Sequence, residues 1–135
     1  MAKVLIIDDD PDIITAVRMS LESAGHEVNE ALNGKEGIKQ IKSSPPDLII
    51  LDVMMETQTE GFEIAEKLRN PDPASELKEF YDIPILMLTA IHTTTPLRSE
   101  PDIDSLKVDL YVDKPIDPDD LIGKVNWLLS REKII

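Results

Sequence analysis

Pro45-Pro46 stands ahead of an unbroken apolar run, Leu48–Leu51, that ends on a carboxylate, Asp52, and this stretch most narrows what the chain can fold into. A run so short, bounded by prolines and polar residues, is a strand buried on both faces, as in a parallel sheet. In open α/β sheets the ligand crevice lies at the carboxyl ends of the strands, so Asp52 is placed there for chemistry rather than for packing.

The same pattern recurs along the chain. Lys3–Ile7 is a second apolar run, closed by Asp8, Asp9 and Asp10 and followed by Pro11. An aspartate before a proline reads as an N-cap with proline at the first helical position, so this strand turns directly into a helix. Ile13, Ile14, Val17 and Leu21 recur at helical spacing until Gly25 stops them. Glu27–Ala31 is a weaker strand, and Asn33-Gly34 opens a helix carrying Ile38 and Ile41 that ends at Ser43-Ser44-Pro45-Pro46. Beyond Asp52, a helical pattern carries Phe62, Ile64, Ala65 and Leu68 as far as Asn70-Pro71-Asp72-Pro73. Ser75–Phe80 has the length of one extra helical turn, Ile83–Leu88 is an apolar strand closing on Thr89-Ala90, and Asp109–Val112 is a final short strand. Three consecutive threonines, Pro96 and Pro101 break any long helix between those two strands, leaving at most a short one from Asp102 to Lys107. A last helix is expected from about Pro118 to Glu132.

Strands alternating with helices through crossover connections specify an α/β doubly wound parallel sheet with helices on both faces. Five strands fit the length, and the common order 2-1-3-4-5, that of flavodoxin-like folds, sets the first and third strands side by side. Asp8, Asp9 and Asp52 then share one crevice. At 135 residues, 1–135 is expected to form a single domain.

Twenty-seven acidic against fourteen basic residues give a formal net charge of −13, which repels nucleic acid and anionic lipid, so direct binding to either is not expected. Cysteine is absent, which excludes disulfides and thiolate metal sites. The opening MAKVLIIDDD holds no apolar segment long enough for a signal peptide or membrane span, and a cytoplasmic location is expected.

Reading off the strand ends gives Asp8 and Asp9 from the first strand, Asp52 from the third, Thr89 from the fourth and Lys114 from just beyond the fifth. Three crowded carboxylates repel one another unless a cation sits among them. Mg²⁺ suits so small a cluster, because it takes one or two carboxylates, keeps several waters and shares a phosphate. A metal-held carboxylate can also attack phosphorus to form an aspartyl phosphate, which makes Asp52 the candidate nucleophile. Phosphoryl transfer asks mainly for positioning and charge neutralisation, roles within reach of the Lys114 ammonium and the Thr89 hydroxyl.

With these residues in place the chain resembles, over essentially its whole length, the receiver domains of two-component response regulators. The matching motifs are VLIIDDD (Val4–Asp10), LIILDVMM (Leu48–Met55), IPILMLTA (Ile83–Ala90) and YVDKP (Tyr111–Pro115). The resemblance implies that Asp52 accepts phosphate from a histidine kinase or phosphotransfer protein. It implies that Asp8 and Asp9 bind Mg²⁺ with a further ligand from the Met54 backbone carbonyl, and that Thr89 and Lys114 contact the phosphoryl group. Tyr111 matches the switch aromatic that turns inward when Thr89 moves toward the phosphate. By the same analogy, the residues two after Asp52 and two after Thr89 govern the approach of water to the acyl phosphate. Here they are Met54 and Ile91, both unable to orient water, so slow self-hydrolysis is expected. The chain also departs from the family pattern. Glu56 replaces a proline, Thr57–Glu60 lengthens the adjoining loop, and 36 residues separate Asp52 from Thr89, with the excess mostly in Asn70–Asp82. Lys107-Val108 replaces small residues, and the fourth helix, part of the family's output face, is expected to be irregular.

Other residues have plainer readings. Asp10 is a turn and cap residue, His26 a surface residue in a helix-to-strand turn, and His92 a solvated loop residue. On the last helix Leu121, Ile122, Val125, Leu128 and Leu129 form a core stripe, and Trp127 falls about 160° away from it. The tryptophan is therefore expected to face outward, where it either anchors a partner or second copy or leans over a neighbouring loop. Two further functions compete. A phosphorylation-independent pseudo-receiver would serve only as an interaction module. An aspartate-nucleophile phosphatase would need a second acid two positions after Asp52, where Met54 stands.

Overall fold

The structure, a computed structural model, describes residues 2–52, 67–68, 80, 82–89, 110–113 and 117–134. Its elements, in chain order, are β1 (Lys3–Ile7), α1 (Pro11–Ser23), β2 (Glu27–Ala31), α2 (Gly34–Ser43), β3 (Leu48–Asp52), β4 (Ile85–Thr89), β5 (Leu110–Asp113) and α3 (Pro118–Ile134). The five strands form one sheet of order β2-β1-β3-β4-β5, with every neighbouring pair parallel. This is the doubly wound arrangement expected from the alternation of short apolar runs with helical patterns.

Strand alternation divides the core in two, because successive side chains point to opposite faces. Val4, Ile6, Leu48, Ile50, Leu86, Leu88 and Val112 pack against α1 (Ile14, Val17, Leu21) and α3 (Leu121, Val125, Leu128). Leu5, Ile7, Ile49, Leu51, Ile85 and Met87 pack on the other face with Ile41 of α2, joined by Leu68 and Phe80. All five residues of β3 are buried, as its unbroken apolar run requires. Each large side chain so removed from water contributes about 1.5–3 kcal/mol, and this two-sided burial holds the strand ends in register.

Local chemistry sets where the helices begin. Asp10 is extended (φ −100°, ψ 108°), and its carboxylate accepts the Asp12 N–H at 2.9 Å, with Pro11 in the first turn. At the other end Gly25 takes φ 93°, a left-handed conformation that glycine adopts without penalty, and the His26 N–H closes back on the Leu21 carbonyl at 3.0 Å. Asn33 caps α2 by accepting the Glu36 N–H at 2.9 Å. Gly37 lies where α2 crosses β1, and a β-carbon there would run into the Ile7 side chain. Asp117 accepts the Asp119 N–H at 3.1 Å at the head of α3.

Three boundaries and one surface assignment differ from expectation. The fourth strand starts at Ile85, not Ile83, because Pro84 has no N–H to give a ladder, although its carbonyl accepts the Ile49 N–H at 3.0 Å. The fifth strand is shifted by one residue to Leu110–Asp113, and α3 runs to Ile134 rather than Glu132. His26 is half-buried rather than a free surface residue. Its Nδ1 accepts the Ala2 N–H at 3.4 Å, and its Nε2 lies 2.9 Å from Asn126 Oδ1 on α3, so the imidazole ties the α1–β2 turn to the last helix. The expectations for the third helix before Lys67, the Asn70–Asp82 excess apart from Phe80 and Asp82, and the irregular fourth helix lie outside the described residues.

Candidate functional site

The register of the sheet decides which residues meet at its carboxyl edge. Ile7 pairs with Leu51, Leu51 with Met87 and Met87 with Tyr111, so this row spans the four inner and outer strands on that side of β2. Asp52 pairs with Leu88 in the next row, and Asp8, which follows Ile7, comes level with Asp52. Thr89 ends β4 one step further on, opposite Asp113. The chain thus delivers acids to one point because β3 runs one residue past β1, which sets Asp52 level with Asp8, the residue that follows β1.

Asp8 is fully buried and Asp52 is 2% exposed, whereas Asp9 is open to solvent. Carboxylate oxygens of the three lie within 4.8 Å of one another. Asp8 is fixed from both ends. Its N–H donates to the Ala31 carbonyl at 3.0 Å, which carries the β1–β2 pairing one residue past the last strand position. Its Oδ1 accepts the Asp10 N–H at 2.9 Å, closing a turn that sends the chain into α1. Asp52 is held by its pairing with Leu88 of β4, on a strand that β1 flanks on the other side.

Three anionic groups at this separation, two of them taken out of water, repel one another strongly unless a positive charge joins them. The donor set is all oxygen, which suits a hard divalent cation and not a soft one. Asp9 is the member of the three that faces solvent. The residues present therefore fit Mg²⁺, with Asp8, Asp9 and Asp52 as the groups that would hold it.

The structure thus brings together three of the residues singled out from sequence. Thr89 and Tyr111 occupy adjacent strands, with Thr89 paired to Asp113 and Tyr111 to Met87, so their backbone positions are two register steps apart. Met54 and Lys114 lie outside the described residues, as does Ile91. One contributor escaped the sequence reading, which gave Asp10 only the role of a cap. Its backbone N–H also holds the Asp8 carboxylate. The spacing Asp8-x-Asp10-Pro11 carried that signal, since an aspartate commonly binds the N–H two residues on.

Among known proteins, the chain is 36% identical over 131 residues to the DNA-binding dual master transcriptional regulator RpaA of Synechocystis, covering 97% of this chain and 50% of that protein. It is 32% identical over 137 residues to the alkaline phosphatase synthesis transcriptional regulatory protein PhoP of Bacillus subtilis, covering 98% of this chain and 50% of that one. The chain spans about half the length of these relatives. Its fold is similar to that of the chemotaxis response regulator CheY4 of Vibrio cholerae, with TM-score 0.79 and 30% identity over 95% of this chain and 98% of that one. It is also similar to the receiver domain of the Francisella response regulator 1452, with TM-score 0.78 and 29% identity over 98% and 99% of the two chains. Residues 4–126 match the family described as response regulator receiver domain. Sheet order, acid cluster and sequence agree, and the chain belongs to the response regulator receiver domain family.

Proposed function

We propose that residues 1–135 act as one receiver domain that accepts a phosphoryl group on Asp52 from a histidine kinase or phosphotransfer protein. The observation that carries this reading is the convergence of Asp8, Asp9 and Asp52 at one strand edge in a chain of this family. In the reaction an Asp52 oxygen attacks the phosphorus of a phosphohistidine. The P–O bond to Asp52 forms as the P–N bond breaks, and the imidazole leaves with the electron pair of that bond and takes up a proton.

Asp8, Asp9 and Asp52 would hold Mg²⁺, and the family resemblance adds the Met54 carbonyl as a further ligand. When bound, the cation neutralises the carboxylates and the phosphoryl oxygens, which are otherwise mutually repulsive. Burial of Asp52 restricts attack to the open side of the cluster, where Asp9 faces solvent. By the family resemblance, the Lys114 ammonium would offset phosphoryl charge and the Thr89 hydroxyl would donate to a phosphoryl oxygen. Thr89 and Tyr111, on neighbouring strands, couple the phosphorylated site to a surface read by a downstream protein.

The net charge of −13 argues against direct contact with nucleic acid. The DNA binding named for RpaA belongs to a protein of twice this length. Among the described residues no helix is long and apolar enough to cross a membrane, and the proposed reaction is one for the cytoplasm.

Incubation of the protein with Mg²⁺ and acetyl phosphate tests the reading. Intact-mass measurement should show the gain of one phosphoryl group, lost when Mg²⁺ is chelated and absent from Asp52→Asn. A wild-type protein that stays unmodified while remaining folded, yet still binds partners, points instead to the pseudo-receiver.

A further inference from the structure

We infer that Asp10 is a positioning residue for the cation site, acting through Asp8. The inference rests on the site reading above and adds to it a residue that touches neither cation nor phosphate. Two turns follow one another at the mouth of α1. Asp8 Oδ1 accepts the Asp10 N–H at 2.9 Å, and the Asp10 carboxylate in turn accepts the Asp12 N–H at 2.9 Å. The Asp10 carbonyl closes the first helical bond, from Ile14 N–H at 3.1 Å.

The orientation of a buried ligand is thereby tied to the start of a helix. One Asp8 oxygen is engaged by a backbone donor, which fixes rotation of the carboxylate about its χ2 bond and sets the direction of the other oxygen. That donor is steady only while Asp10 stays extended at φ −100°, and what holds it there is its own side chain on the Asp12 N–H together with Pro11. Asp10 is exposed, so its carboxylate is not required for core packing. Without the cap the first turn of α1 frays, the Asp10 N–H wanders, and Asp8 samples orientations that do not serve the cation. A capping side chain is enough for this task, and its charge is not needed.

Mg²⁺ titrated into the protein and followed by calorimetry provides the test, in about 0.5 M NaCl so that the loss of a distant charge is screened. Asp10→Ala should weaken Mg²⁺ binding several-fold, whereas Asp10→Asn, which keeps the cap and drops the charge, should stay within about two-fold of wild type. Circular dichroism establishes that both variants keep their secondary structure. Asp10→Ala binding Mg²⁺ as wild type does would overturn the inference while leaving the site reading intact. Asp10→Asn as weak as Asp10→Ala would also overturn it, since the residue would then act by charge. A wild-type protein that binds no Mg²⁺ overturns the site reading itself, and this inference with it.

Discussion

Among the described residues, the buried charged side chains are Asp8 and Asp52, which stand level on adjacent strands. Burying a carboxylate costs several kcal/mol, and burying two beside a third adds repulsion. On the function proposed above, they serve the cation. Asp8→Asn is therefore expected to raise stability in metal-free buffer, by on the order of 1–3 kcal/mol, and to remove the stabilisation that Mg²⁺ gives the wild type. Thermal melts with and without Mg²⁺ check both halves, and a variant that melts lower in metal-free buffer contradicts the repulsion account. A second expectation concerns the lifetime of the phosphate. Met54 and Ile91 cannot orient a water, so phosphorylated protein freed of donor should lose its phosphate slowly, and Met54→Asn should hasten the loss by an order of magnitude or so. Rapid loss from the wild type would contradict the assignment of these two positions.

Elements hold these residues at one height. Asp47 sets the register of β1 against β3 by clamping their starts, its N–H donating to the Lys3 carbonyl at 2.7 Å and its Oδ2 accepting the Lys3 N–H at 2.8 Å. α2 is seated by Gly37 against Ile7, the residue just ahead of Asp8. Gly37→Ala should therefore cost about 1–3 kcal/mol, measured by urea unfolding, and should weaken Mg²⁺ binding as Ile7 shifts. A variant as stable as wild type would show that α2 can move away freely. Most of this was legible in the chain, for physical reasons. Unbroken apolar runs such as Leu48–Leu51 admit only a doubly covered strand, and Asp10-Pro11 admits only a helix start. What was not legible has equally physical causes. Whether Ile83 joins β4 depends on how Pro84, which has no N–H, meets β3 through its carbonyl, and whether His26 is a surface residue depends on Asn126, one hundred residues away. The crevice itself could be read because strand order brings Asp8 to Asp52, whereas the grip of Asp10 on Asp8 was signalled only by the spacing Asp8-x-Asp10-Pro11, with the backbone geometry deciding that the bond forms.

At the scale of the molecule, helices cover both faces of the sheet, and its carboxyl edge carries the acid cluster. α3 presents Trp127 at 53% exposure while Leu128 beside it is fully buried, the outward placement expected from the helical stripe. If that ring anchors a second copy, Trp127→Ala should lower the apparent mass in concentrated solution, as sedimentation would show, with phosphate uptake at Asp52 unchanged. Identical sedimentation of the two proteins removes the interface reading. The central claim, that a phosphoryl group lands on Asp52 and nowhere else, has a more direct test. Borohydride reduces an acyl phosphate and leaves homoserine where the aspartate was, and peptide mass spectrometry then locates it. After exposure to phosphodonor and Mg²⁺, homoserine is expected at position 52 alone, and at no position when Mg²⁺ is withheld; homoserine at Asp8, Asp9 or any other acid instead would contradict the account.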